Sequence, residues 1–107
     1  MADFMNILRQ AQEMQGRFQK IQDELAQLTI TGSAGGGMVV ADVTGTGQLK
    51  KIRLDPSVVN AADIEMLEDL ITVAVSDAQA KAQTAAQEQM GKLTGGLNLP
   101  FKLPGLG

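Results

Sequence analysis

The side chains able to do chemistry are few, and their types narrow the field. The chain has no histidine and no cysteine. The commonest general base at neutral pH, thiolate nucleophiles, disulfides and the two commonest transition-metal ligands are therefore missing together. Glu65, Glu68 and Asp69 could in principle form a carboxylate pair or hold a divalent ion. Acids there also open a predicted helix, where the positive end of the dipole favours them as solvated charges. With no histidine to complete such a site, no catalytic residue, no metal site and no enzyme is expected. The glycine cluster Gly32 to Gly37 (GSAGGG) is followed by a strand, without a Gly-Lys-Ser/Thr, so a flexible turn is expected in place of a phosphate cradle. Neither a cofactor nor a small-molecule substrate is implied.

Cations are the remaining candidates. Nine basic residues stand against twelve acidic ones, for a net charge of −3, which is the wrong sign for neutralising phosphates. The distribution is uneven, however. Residues 1–28 carry three basic and four acidic groups, 29–62 three and two, and 63–92 two and six. Arg9, Glu13 and Arg17 lie four apart, and make either two exposed intrahelical ion pairs of a few tenths of a kcal/mol each or cations free for contact. Lys50, Lys51 and Arg53 form the densest basic group, which edge protection of a strand explains as well as phosphate contact does. Three Phe, with no Trp or Tyr, offer almost nothing for bases to stack on. The cations are too sparse for bidentate contacts to successive bases.

The elements that would position these groups follow from periodicity. Phe4, Ile7, Ala11, Met14, Phe18, Ile21, Leu25 and Leu28 recur at alternating spacings of three and four, a heptad seam on an otherwise polar helix. The pattern switches to period two at Leu28 to Thr31. Two further strands are predicted, Met38 to Thr44 and Gln48 to Leu54, joined at Gly45-Thr46-Gly47 as a hairpin. In the last strand Ile52 and Leu54 face one way, Lys51 and Arg53 the other. Asp55-Pro56-Ser57 ends the sheet, and Asn60 to Asp63 offers the cap of a long helix through about Lys92. That helix narrows to small residues at Ala74, Ala78, Ala82 and Ala86, a ridge another helix can approach closely.

The fold class is thus α+β: a long N-terminal helix, a three-stranded antiparallel sheet and a long C-terminal helix. Residues 1–92 form a single domain, and 93–107 form a tail rich in Gly, Pro and Leu. Helices of roughly 37 and 45 Å must overhang so small a sheet. They are expected to pair as an antiparallel hairpin, heptad stripe on alanine ridge. A three-stranded sheet with open edges and one apolar face is a poor stopping point for a monomer, so dimerisation through the sheets with projecting helical arms is expected. No signal peptide and no apolar stretch of membrane-spanning length is present, and a soluble cytoplasmic protein without a membrane partner is the expectation.

The N-terminal helix of Met, Gln and Glu repeats, Gly36-Gly37-Met38-Val39-Val40, Ile52-Arg53-Leu54-Asp55-Pro56, Glu65-Met66-Leu67-Glu68-Asp69-Leu70-Ile71, Ala74-x-x-Asp77-Ala78 and Leu99-Pro100-Phe101-Lys102 together resemble the YbaB/EbfC family, in that family's order. The tail departs from its usual Leu-Pro-Pro-Gly-Phe-Lys by lacking the second Pro and the Gly. The resemblance implies a homodimer with tweezer-like helical arms, found in bacteria, located in the cytoplasm with the nucleoid, and binding double-stranded DNA with little sequence preference. Phosphate contact from the arms through Arg9, Arg17, Lys81 and Lys92 is the corresponding expectation. The alternative is a protein interaction module whose DNA contact is weak or indirect, which the acidic charge and apolar tail favour.

Overall fold

The computed structural model describes residues 2–95. Helix α1, Ala2–Gln27, follows the heptad seam without proline or a β-branched run, and Gly16 sits in it with nothing nearby. It ends where the Leu25 carbonyl accepts two N–H groups, from Leu28 at 3.1 Å and Gly45 at 2.8 Å. Strands β1 (Thr29–Ala34), β2 (Val39–Thr44) and β3 (Leu49–Leu54) form an antiparallel meander in the order β1-β2-β3. Ile30, Gly32 and Ala34 pair with Val43, Ala41 and Val39, so these residues share one face, and their small size keeps it shallow.

The expected turn over Gly32 to Gly37 is shorter than its glycines suggested. Gly32 to Ala34 belong to β1, and only Gly35, Gly36 and Gly37 take the positive φ values, 63°, 68° and 93°, that L side chains rarely adopt. Gly32 serves close approach instead. A Cβ there would lie 2.6 Å from the Ala78 Cα and 2.7 Å from the Ala74 carbonyl oxygen. The second connection is the expected hairpin, with the Gln48 carbonyl accepting from the Thr44 N–H at 2.8 Å.

A single 3-10 turn, Pro56–Val58, is capped by Asp55, whose Oδ1 accepts the Ser57 N–H at 2.9 Å. Helix α2, Ile64–Gly95, starts at the cap expected, with Asp63 Oδ1 accepting the Met66 N–H at 3.2 Å. It runs three residues past Lys92, and the rest of the tail lies outside the described residues.

The alanine ridge does not receive α1 as expected. Ala74, Ala78 and Ala82 are buried against Ala34, Val39, Ala41 and Val43 of the sheet, and α2 lies along β1 and β2, with Ile52 of β3 half-buried against the same cluster. The reason is geometric: a sheet face made of Gly32, Ala34 and Ala41 admits only a helix with equally small contacts, and it offers more continuous apolar area than one stripe of α1. The helices meet over a shorter length. Leu25 is buried, Met14, Ile21 and Gln22 are half-buried, and on α2 so are Ala85, Ala86, Gln89, Met90 and Leu93. The long axis of 72 Å exceeds α2 alone, roughly 48 Å at 1.5 Å per residue. The two helices therefore run antiparallel from Leu25 to about Met14, and the N-terminal half of α1 runs on past the end of α2.

Candidate nucleic-acid interface

α1 outward from Leu25, flanked by the last turns of α2, forms an arm, and the charges of α1 are disposed by helical phase. With Phe4, Ile7, Ala11, Phe18 and Ile21 on one side, Arg9 lies roughly opposite, Arg17 about 80° around from it and Lys20 about 20°. All three are exposed. Lys20 was passed over in the sequence, although its spacing of eleven from Arg9 returns it to the same face. Among the described residues neither Arg9 nor Arg17 makes an ion pair with Glu13, so these cations are not neutralised along the helix. Residues 3–20 carry three cations against Asp3 and Glu13, while Asp23 and Glu24 lie near the joint. Lys92 is exposed in the last turns of α2, level with the middle of α1.

Lys81 is placed differently. It sits over β1, with its Nζ 3.2 Å from Asp77 Oδ2 and 3.5 Å from the Thr31 carbonyl oxygen. Asp77 Oδ2 in turn accepts the Ser33 N–H at 3.0 Å. One turn of α2 thereby satisfies the outward backbone groups of β1, as side chains must where an edge has no strand beside it. The Ser33 N–H, then the Lys81 ammonium, holds the Asp77 carboxyl below its ordinary value. The Ser57 backbone and hydroxyl do the same for Asp55. Of the four residues expected to act together, Arg9, Arg17 and Lys92 lie on the arm, and Lys81 belongs to the platform.

The basic group of β3 is also largely engaged. Arg53 Nη2 is 2.9 Å from Asp42 Oδ1, which also accepts the Thr31 hydroxyl at 2.9 Å. A register shift between Asp42 and Val43 makes Lys50 the extra residue of a bulge, and its Nζ donates to Thr29 Oγ1 at 2.7 Å. The shift returns Leu49 to the helix side of the sheet, where Leu49 and Leu54 remain exposed and Ile52 half-buried. Between arm and platform is a cleft of about 270 Å³ lined by Gln22, Leu25, Thr46, Gln79 and Gln83. No charged side chain lines it, so it suits neither acid–base chemistry nor anion binding. Among the described residues no three carboxylates gather as a cation would require, and no helix is long and apolar enough to cross a membrane.

A helix, a three-stranded meander and a second helix, with Arg9, Arg17 and Lys20 exposed and free of ion pairs along α1, define a small α+β protein that carries part of its sparse positive charge at a distance from its core. The model of the YbaB/EbfC DNA-binding family matches residues 1–97. The chain belongs to that family. It is 58% identical over 102 residues to a nucleoid-associated protein of Gemmatimonas aurantiaca, covering 95% of this chain and 98% of that one. A nucleoid-associated protein of Xylella fastidiosa is 51% identical, with 92% of each chain covered. One from Paramagnetospirillum magneticum is 48% identical, with 97% and 99% covered. Among solved structures, an uncharacterized protein from Helicobacter pylori shares the fold with a TM-score of 0.65 at 21% identity, over 90% of this chain and 97% of that one.

Proposed function

We propose that this protein coats DNA in the bacterial nucleoid, in the cytoplasm, as a homodimer that binds double strands through phosphate contacts with little sequence preference and without catalysis. Membership of a DNA-binding family supports the partner, and relatives named nucleoid-associated protein support the location. The observation that carries the mode of contact is the arm: Arg9 and Lys20 stand free of ion pairs on the side of α1 away from its apolar stripe, and Arg17, equally free, stands at the flank of the stripe. Lys92 adds to them. Lys81, already shared between Asp77 and Thr31, contributes least. Cations this widely separated can meet phosphates, but they cannot read successive bases.

The dimer is supported by the platform. Asp77 and Lys81 engage the edge of β1 at Ser33 and Thr31, whereas Leu49 and Leu54 of β3 remain exposed on either side of the half-buried Ile52, with Met38 exposed next to them. A second copy laid against this strip buries it and sets two arms on one platform. The test of function is binding to unrelated duplexes across a salt series. Affinity that is the same for all sequences, rises with duplex length and falls with a log–log slope near −0.9 per phosphate contacted is expected. Binding to one sequence alone, or none at any salt, would overturn it. The exposed apolar stripe of α1 favours a second reading, an interaction module for another protein, and binding that is indifferent to salt would point there.

A further inference from the structure

The apolar stripe of α1 has no partner among the described residues along its N-terminal half, where Phe4 is 62% and Ile7 60% exposed. Leu8 is exposed beside them. Three large apolar side chains within two turns are more than scattered surface hydrophobics. Position says what can cover them. Because α1 and α2 overlap antiparallel from Leu25 outward, the end of α2 at Gly95 comes level with Met14, at the foot of this stripe. The twelve residues from 96 to 107 start from that point. At roughly 3.3 Å per residue in an extended conformation they reach roughly 40 Å, against roughly 15 Å of uncovered helix.

The pattern of the segment suits the stripe. Leu97, Leu99, Phe101 and Leu103 alternate with Asn98, Pro100, Lys102 and Pro104, so an extended chain turns four apolar side chains to one side. Pro100 and Pro104 preclude helix and lack an N–H to satisfy, which suits a segment lying on a helix that offers no backbone partners. We infer that residues 97–103 dock lengthwise on the Phe4, Ile7, Leu8 and Ala11 face of α1 of the same chain. Docking in this way turns Lys102 outward and adds it to the cations of the arm.

The absence of cysteine allows a direct test. In the full chain, Leu8→Cys and Lys102→Cys are joined by a short bis-maleimide, and the product is sized under denaturing conditions. Amide hydrogen exchange over residues 4–11 is compared between the intact protein, a chain ending at Gly95 and a full-length Leu99→Asp/Phe101→Asp variant. An intrachain link is expected, as is exchange at least about tenfold faster in both altered chains. The full-length variant shows whether loss of the apolar anchors alone suffices. Exchange unchanged by either alteration would overturn the inference. So would links found only between chains, which would make a second copy the occupant of the stripe.

Discussion

Replacing Gly32 by alanine adds one carbon where α2 already stands. The new Cβ would lie 2.6 Å from the Ala78 Cα and 2.7 Å from the Ala74 oxygen, both backbone atoms of one rigid helix. No side chain can swing aside, so α2 must lift from β1 by about 1 Å, loosening Ala74 and Ala78 from Val39, Ala41 and Val43. Overpacking of this kind costs about 1–3 kcal/mol, partly offset by the roughly 0.5–1 kcal/mol that alanine gains over glycine within a strand. Gly16→Ala meets nothing within 4 Å and should stabilise by about 1 kcal/mol. Gly37→Ala, at φ 93° with open space around it, should destabilise by about 1–2 kcal/mol through backbone strain alone. With no Trp or Tyr, the assay is urea unfolding followed by helical circular dichroism at one fixed protein concentration, so that the proposed self-association does not enter the comparison. A Gly32→Ala protein as stable as Gly16→Ala would refute the proposed packing of α2 on β1.

Ala78→Leu, pointing into the same contact, should cost about 1–3 kcal/mol in the same unfolding assay, while Gln12→Ala on the exposed face of α1 should change stability by under about 0.5 kcal/mol. Arg9→Gln/Arg17→Gln should weaken binding to every duplex alike and flatten the salt slope by about 0.9 per lost phosphate contact, whereas Lys51→Gln should change it less; anisotropy titrations measure both. Asp77 has a folded-state pKa below its unfolded value of 3.8, so it contributes stability that is full above that value and is lost as pH falls through the lower one. Acid unfolding of Asp77→Asn should accordingly lack this part of the loss, starting from lower stability at neutral pH. Sedimentation at micromolar concentration should give a dimer, and Leu49→Asp/Leu54→Asp should shift it to monomer. Glu65→Gln/Glu68→Gln should leave DNA binding unchanged near 0.15 M salt and strengthen it only in dilute buffer.

Much of this architecture is legible from periodicity. The seam from Phe4 to Leu28 announces α1, the alternation at Ile52 and Leu54 announces β3, and Asp63 marks the start of α2 by its capping carboxylate. Gly32 was misread because glycine signals both turns and close approach, and only the position of α2 separates the two. The alanine ridge was misassigned for a related reason: small side chains show that something comes close without showing whether it is a helix or a sheet. Lys81 could not be placed on the platform from its neighbours in sequence, since its clasp depends on how α2 registers over Thr31 and Ser33. Lys20 could have been found, because spacing by eleven on a helix restores the face of Arg9.

The proposed function asks an acidic protein to keep most of its acid away from phosphates, and helix length separates Asp63 to Asp69 from the arm. Asp63, Glu65, Glu68 and Asp69 gather at the start of α2, next to the turns that close the platform. From Ile64 to Ala82 is roughly 27 Å along α2, and from Leu25 out to Arg17 and Arg9 a further 12 to 24 Å along α1 in the same direction. The acid from Asp63 to Asp69 therefore sits roughly 27 to 53 Å along the helices from Lys20, Arg17 and Arg9, some three to seven Debye lengths at 0.15 M salt. At that distance a phosphate on the arm experiences Arg9, Arg17, Lys20 and Lys92 together with Asp3, Glu13, Asp23, Glu24 and Glu88, and little of Asp63 to Asp69. Near 0.01 M the Debye length grows to about 30 Å, and the acid begins to repel the same duplex. Affinity should then gain less from each further dilution than counterion release alone requires, and a log–log plot should bend below the straight line expected of a basic protein. Neutralising Glu65 and Glu68 should straighten that plot without moving its high-salt limb. A uniform gain in affinity across all salt concentrations would mean instead that DNA lies along the platform and that the arm is not where contact is made.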